Sequence, residues 1–126
     1  MYDATQTYGD VVHFVHVYVV EPHPLDPDPS PYRGEVWEAF YSHRRQPKTY
    51  DGRVALAREI KALLGGNQLM LVDELTPESR NNPLWCSYGP VPNSGYLIDQ
   101  TGKLRVVNIW IDLSEMEETI DAILAE

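Results

Sequence analysis

The chain has 126 residues, of which 43% are hydrophobic and 23% charged, a composition that is ordinary for one soluble globular domain spanning residues 1–126. Its net charge of -9, from ten Lys and Arg against nineteen Asp and Glu, argues against a nucleic-acid partner, because the phosphate backbone requires a basic surface. No run reaches the roughly 20 apolar residues of a membrane span, and the first ten residues lack the basic and apolar regions of a signal peptide, so the sequence predicts no membrane contact and a cytoplasmic location.

A strand-forming run of ten residues, Val11 to Val20, stands out in the first part of the chain. Every residue in it except His13 and His16 is β-branched or aromatic. Because apolar side chains fall on both faces of such a strand, the run predicts burial on both sides, as in the interior of an α/β sheet. Residues 1–10 before it have the pattern of a helix end, with Gly9 as a stop signal.

The middle of the chain predicts a crossover helix between two parallel strands. Five prolines between positions 22 and 31 favour an extended loop, and a short helix is predicted over residues 35–41. Apolar residues recur at helical spacing from 50 to 64, and Gly65 supplies the stop. The run from Gln68 to Asp73 then predicts a buried strand, parallel to the first because a helix connects the two.

The last third predicts a polar loop, a hairpin and a helix. Residues 74–92 have the composition of a long polar loop. Strands over 95–99 and 104–111 are spaced for an antiparallel hairpin. Ser114 and Glu117 have the spacing of a capping box at the start of a final helix. The predicted buried stripe of that helix is Met116, Ile120, Ile123 and Leu124.

Two polar residues, Glu21 and His23, follow the first strand. They are two positions apart, so their side chains can point the same way, and a carboxylate that orients an imidazole is a common acid–base arrangement. The alternative is an exposed polar pair in a proline-rich loop.

His13 and His16 are three apart in a strand and fall on opposite faces, which argues against a shared metal site.

Cys86 is the single cysteine, which excludes an intrachain disulfide and a CxxC motif. Two interpretations of it remain open, a reactive thiol and a small buried apolar residue.

Asp26 and Asp28 resemble hard-cation ligands, but no glycine turn or distal Glu follows them, so solvated loop carboxylates are expected instead.

The order strand, helix, strand, hairpin and helix resembles the thioredoxin fold and, more closely, the iodothyronine deiodinase family. Five motifs carry the resemblance: Tyr8-Gly9-Asp10, Val17-Tyr18-Val19-Val20-Glu21-Pro22-His23-Pro24, Pro47-Lys48-Thr49-Tyr50-Asp51-Gly52-Arg53, Val72-Asp73, and Tyr88-Gly89-Pro90-Val91-Pro92 with Tyr96-Leu97-Ile98-Asp99. Together they span most of the chain. Pro22 and Pro47 depart from the family pattern, which has Ala and His at those positions.

The resemblance implies an α/β fold, a thioredoxin-like three-layer α/β/α arrangement around a mixed sheet, and thiol- or selenol-dependent reduction. It implies Glu21 and His23 as catalytic residues with Cys86 as a further candidate, and Tyr88 and Pro92 as substrate-binding residues, Pro92 being the expected cis-proline. It also implies no bound cofactor, an external thiol reductant, and a small-molecule or thiol substrate.

The family places its nucleophile, a selenocysteine or cysteine, upstream of the position of Tyr8-Gly9-Asp10. We therefore expect this chain to lack the first strand and helix of the fold, and by itself to be inactive. The alternative is a non-catalytic interaction module with the same fold. Without the central strand, Val11 to Val20 must pair either with the Gly95 hairpin or with a second copy of the chain, as a homodimer through an exposed sheet edge.

Overall fold

The computed structural model describes residues 2–25, 28, 44–66, 68–75, 82–88 and 93–126. The helices within these ranges are α1 (Tyr2–Tyr8), α2 (Tyr50–Leu64), α3 (Pro83–Tyr88) and α4 (Leu113–Leu124). The strands are β1 (Val15–Tyr18), β2 (Leu69–Val72), β3 (Gly95–Ile98) and β4 (Leu104–Asn108). The mixed α/β class is therefore confirmed. The helix predicted over residues 35–41 lies outside the described residues.

The segment β1-α2-β2 forms a parallel unit. Val15 lies opposite Leu69 in the ladder, and the register continues to the end of both strands. The Thr49 hydroxyl accepts a hydrogen bond from the Gly52 amide at 3.1 Å and so caps the start of α2. The helix ends at Gly65, whose φ of 65° lies in the left-handed region that glycine adopts without strain. The predicted helix over 50–64 and the parallel pairing are both confirmed.

The strand β1 differs from its prediction in length and in burial. Only Val15–Tyr18 is a strand, and Val15 and Val17 are 50% and 40% exposed, whereas Val20 beyond the strand is buried. The helix α2 packs against β2, and Leu69 and Leu71, opposite Val15 and Val17 in register, are also 53% and 43% exposed. The prediction that both faces of Val11 to Val20 are buried is therefore wrong, and so is the prediction that Gln68 to Asp73 is a buried strand.

The carboxyl-terminal part contains the predicted hairpin and helix. The strands β3 and β4 are antiparallel, with Tyr96 opposite Val107, and α4 packs against β4 so that Val106 and Ile120 are buried. The helix cap differs from the prediction. The Asp112 carboxylate, and not the Ser114 side chain, accepts the amide hydrogen bonds of the first turn, at 3.0 and 3.2 Å.

The buried stripe of α4 is shorter than predicted. Ile120 is buried, Met116 and Ile123 are half-buried, and Leu124 is 49% exposed in the last turn. Leu124 therefore lies at the edge of the packed surface. None of the helices in the described ranges is long and apolar enough to cross a bilayer.

The two sheets are separate. Over the described ranges, β1 pairs with β2 and β3 pairs with β4, and no strand joins the two pairs. The predicted direct pairing of Val11 to Val20 with the Gly95 hairpin is therefore wrong. A second copy as the partner of the open strand edge stays a prediction.

Candidate functional site at the carboxyl ends of the parallel strands

The chain that follows β1 is held in place by residues 44–46, which run beside it. The Glu21 amide donates to Oε1 of Gln46 at 3.0 Å, and Nε2 of Gln46 donates to the Glu21 carbonyl oxygen at 3.0 Å. The Leu25 amide also donates to the Arg44 carbonyl oxygen at 2.7 Å. We call these contacts the loop clasp, and they fix the backbone of Glu21 at the end of the strand.

Asp28 extends the loop clasp. Its carboxylate accepts hydrogen bonds from Nε and an Nη of Arg45, at 3.0 and 3.2 Å, and from the Gln46 amide at 3.1 Å. The hydrogen bond from Arg45 holds the pKa of the Asp28 carboxyl below its usual range. The prediction of a solvated Asp28 is therefore wrong, because its half-buried side chain binds residues 45 and 46. Asp26 lies outside the described residues.

The Glu21 side chain is bound by a tyrosine. The Tyr18 hydroxyl donates a hydrogen bond to Oε1 of Glu21. Burial of Tyr18 and the neighbouring carboxylate raise the pKa of the hydroxyl well above its usual range. Tyr18 therefore remains protonated, and remains a donor, at physiological pH.

His23 lies two residues beyond Glu21, where the sequence predicted it. Both side chains are half-buried, and Nδ1 of His23 is itself buried. The adjacent Pro24 is fully buried, so the backbone on the far side of His23 is also packed into the protein. The structure therefore brings Glu21 and His23 to the carboxyl end of β1, and their catalytic roles stay predictions.

A second polar centre follows β2. Arg53 of α2 is 1% exposed, and one Nη donates to the carbonyl oxygens of Asp73 and Glu74, at 3.1 and 3.0 Å. The other Nη donates to Oδ1 of Asn82 at 2.5 Å. Burial lowers the pKa of Arg53, and the Asp73 carboxylate opposes that effect. The guanidinium thus joins α2, the end of β2 and the start of α3.

Asp73 provides the cap of α3. Its carboxylate is 1% exposed and accepts hydrogen bonds from the amides of Leu84 and Trp85, at 3.0 and 3.1 Å. The carboxylate therefore binds the free amides at the helix start. The prediction of an uninterrupted polar loop over 74–92 is wrong for this reason. Pro83 in the first turn was the sequence signal for the helix.

The remaining predicted site residues lie on or beyond α3. Cys86 is exposed, which excludes the interpretation of a small buried residue. Tyr88 is 59% exposed, and its ring meets that of Tyr96 edge to face, with centroids 5.7 Å apart. The Tyr96 hydroxyl donates to the Tyr88 carbonyl oxygen and so ties the end of α3 to β3. Pro92 lies outside the described residues.

A shallow groove runs from Glu21 along α2. Its lining residues are Glu21, Arg44, Leu56, Glu59, Ile60 and Leu63. Arg44 and Glu59 form an ion pair of 2.6 Å across it, and both side chains are about half exposed. The groove has a volume of about 30 Å³, which is enough for a water molecule.

Histidines at the other end of β1 lie apart from this site. His13 is exposed, and His16 is half-buried with its Nε2 atom buried. In the ranges that the structure describes, no three His, Cys, Asp or Glu side chains gather as metal ligands.

Comparisons with known proteins identify no relative, since no family model, no curated protein and no solved structure matches the chain.

Proposed function

We propose that this chain supplies the acid–base residues of a thiol- or selenol-dependent reductase of the iodothyronine deiodinase type, in a thioredoxin-like three-layer α/β/α fold. The observation that carries the proposal is the fixed position of Glu21, bound at its backbone by Gln46 and at its carboxylate by Tyr18, two residues before the half-buried His23. The order of a parallel βαβ unit, an antiparallel hairpin and a final helix supports it.

The proposed chemistry uses these residues to move protons. Two thiols supply two electrons and become a disulfide, while the substrate takes up a proton as its bond to the leaving group breaks. His23 carries the proton, because imidazole is the commonest acid–base group in enzymes, and Glu21 orients it. The nucleophile is either Cys86 or a thiol or selenol from outside the described residues, and an external thiol reductant regenerates it.

A non-catalytic interaction module is the second candidate. The observation that favours it is the exposure of apolar side chains on both sheets, including Val15 and Leu69 on the first and Ile98 and Val107 on the second. Contiguous exposed apolar surface is typical of proteins that bind other proteins.

The two candidates are separated by a reductase assay with an added nucleophile. The full chain is mixed with a dithiol, a small selenol, and either an aryl iodide or a small disulfide as substrate. We expect Glu21→Gln and His23→Asn each to lower the rate by about tenfold or more, because general acid–base groups contribute at least that much. The matched control is His13→Asn, at an exposed histidine just before β1, which should leave the rate unchanged.

A Cys86→Ser variant identifies the nucleophile in the same assay. Without the added selenol and the dithiol, we expect the chain to be nearly inactive, since its one thiol cannot both attack the substrate and resolve the mixed disulfide. Robust turnover that Cys86→Ser abolishes would assign the nucleophile to Cys86. If neither substrate reacts faster than with thiol and selenol alone, the interaction module is the better description.

A further inference from the structure

The strand β1 has one bonded edge and one open edge. The Phe14 carbonyl oxygen accepts from the Leu69 amide at 3.0 Å, and the Tyr18 carbonyl oxygen accepts from the Asp73 amide at 2.9 Å. Because alternate residues of a strand face its neighbour, the backbone groups of Val15 and Val17 point away from β2. No described strand lies on that side.

The side chains beside the open edge are apolar. Val15 and Val17, with Leu69 and Leu71 opposite them in register, form one face of the sheet and are 40% to 53% exposed. We call this surface the outer face. Open edges of natural proteins are usually protected by a lysine, a proline or an inward-pointing charge, and β1 has none of these. The edge is therefore suited to the addition of another strand.

The sequence around β1 is self-complementary. It reads nearly the same in both directions from His16, with Val15 and Val17 on either side, then Phe14 and Tyr18, and further out Val12 and Val20. Two copies that meet antiparallel on a two-fold axis at His16 would place each Val15 opposite a Val17. Both residues direct their backbone groups to the open edge, so these are the positions that form hydrogen-bonded pairs in an antiparallel ladder.

The charges of the chain are compatible with this pairing. The chain as a whole carries -9, yet residues 11–20 contain no Asp, Glu, Lys or Arg. In the two-fold register Asp10 lies opposite Pro22, and Glu21 lies opposite Val11, so no like charges face each other directly. Repulsion between two acidic copies is therefore weak along this strand.

We propose that β1 pairs with β1 of a second copy of this chain, in a four-stranded sheet with the order β2-β1-β1-β2. The two outer faces then form one continuous apolar surface of eight side chains. Edge pairing between strands of four residues is at the small end of specific interfaces, so the dimer is weak and depends on concentration. This proposal is independent of the reductase chemistry.

Analytical ultracentrifugation and hydrogen exchange of the full chain test the pairing together. Over roughly a hundredfold range of concentration, we expect a monomer–dimer equilibrium. The amides of Val15 and Val17 should be protected at high concentration and exchange freely on dilution. The amides of His16 and Tyr18 face β2, so they should be protected at both concentrations and report that the chain is folded.

Charge substitutions test the register. V15K/V17K sets like charges opposite each other and should weaken dimerisation by at least about tenfold, whereas V15K/V17E sets opposite charges together and should restore it. The control is Leu71→Lys, on the same face but not on the open edge, which should leave the dimer intact.

Three results would overturn the proposal. One is a monomer at every concentration in which the Val15 and Val17 amides exchange freely. Another is a monomer in which those amides are protected, because some other part of the chain then occupies the edge. The last is a failure of the charge substitutions to act as expected: either V15K/V17K still dimerises as the native chain does, or V15K/V17E is folded but does not dimerise.

Discussion

A polar centre follows each of the two parallel strands, and the two centres differ in how deeply their side chains are buried and in what those side chains bind. Arg53 and Asp73, at the end of β2, are each 1% exposed, and their hydrogen bonds join α2, β2 and α3. Glu21 and His23, at the end of β1, are half-buried, and Gln46 holds the backbone of Glu21. The centre of Arg53 and Asp73 therefore serves stability, while the side chains of Glu21 and His23 remain partly exposed to solvent.

The largest effect that this comparison predicts is on stability, at Arg53. Arg53→Met removes the donor to two carbonyl oxygens and to the Asn82 amide oxygen, and leaves the acceptors of Asp73 and Asn82 buried. We expect a loss of about 3 kcal/mol in the free energy of unfolding, measured by urea denaturation.

The matched control is Arg44→Met. Arg44 pairs with Glu59 at the surface, where both side chains are about half exposed, so its loss should cost less than about 1 kcal/mol. Equal losses in the two variants would mean that the burial of Arg53 does not set its contribution, and the contrast between the two centres would fail.

A smaller effect is expected at the loop clasp. Gln46→Ala removes both hydrogen bonds to the backbone of Glu21 and should lower the free energy of unfolding by about 1 to 2 kcal/mol. The Glu21 amide should also exchange faster with solvent, because it loses its acceptor. Gln6→Ala, at an exposed position of α1, is the control and should change neither quantity. A Glu21 amide that stays protected in Gln46→Ala would show that other contacts fix this residue.

Local patterns in the sequence were enough to predict much of the fold. The helix α2 follows from apolar spacing and a terminal glycine, and the hairpin follows from two β-rich runs around a turn. The helix α3 was missed because its cap, the Asp73 carboxylate, comes from ten positions upstream of Pro83. The exposure of β1 was missed because apolar patterning alone does not show which elements cover a strand.

The candidate site was predicted only in part, for a similar reason. Glu21 and His23 were found because they follow a strong strand signal. Gln46 contacts Glu21 across 25 positions of sequence, and no local pattern joins them. Arg53 fell within the apolar spacing of α2, and an arginine inside such a stripe was the available signal for a buried polar centre.

The smallest effect concerns pH and His16, which is half-buried in β1. Burial lowers the pKa of His16 below its ordinary value of 6.5, so the folded chain binds this proton less readily than the unfolded chain does. Well above that pH value the histidine is neutral in both states, so its protonation does not lower the free energy of unfolding. As the pH falls below it, the unfolded chain takes up the proton first, and the free energy of unfolding decreases.

The measurement is urea denaturation at pH values of about 7.5 and 5, at a concentration where the chain is monomeric. Hydrogen bonds from Arg45 and Thr101 lower the pKa values of Asp28 and Asp99, so those carboxylates stay ionised across this window. The native chain should therefore lose more stability between the two pH values than His16→Gln does. His13→Gln, at an exposed histidine, should follow the native chain. An identical loss of stability in His16→Gln and in the native chain would show that the His16 ring titrates as it does in the unfolded state. The half-buried position of His16 would then be open to water.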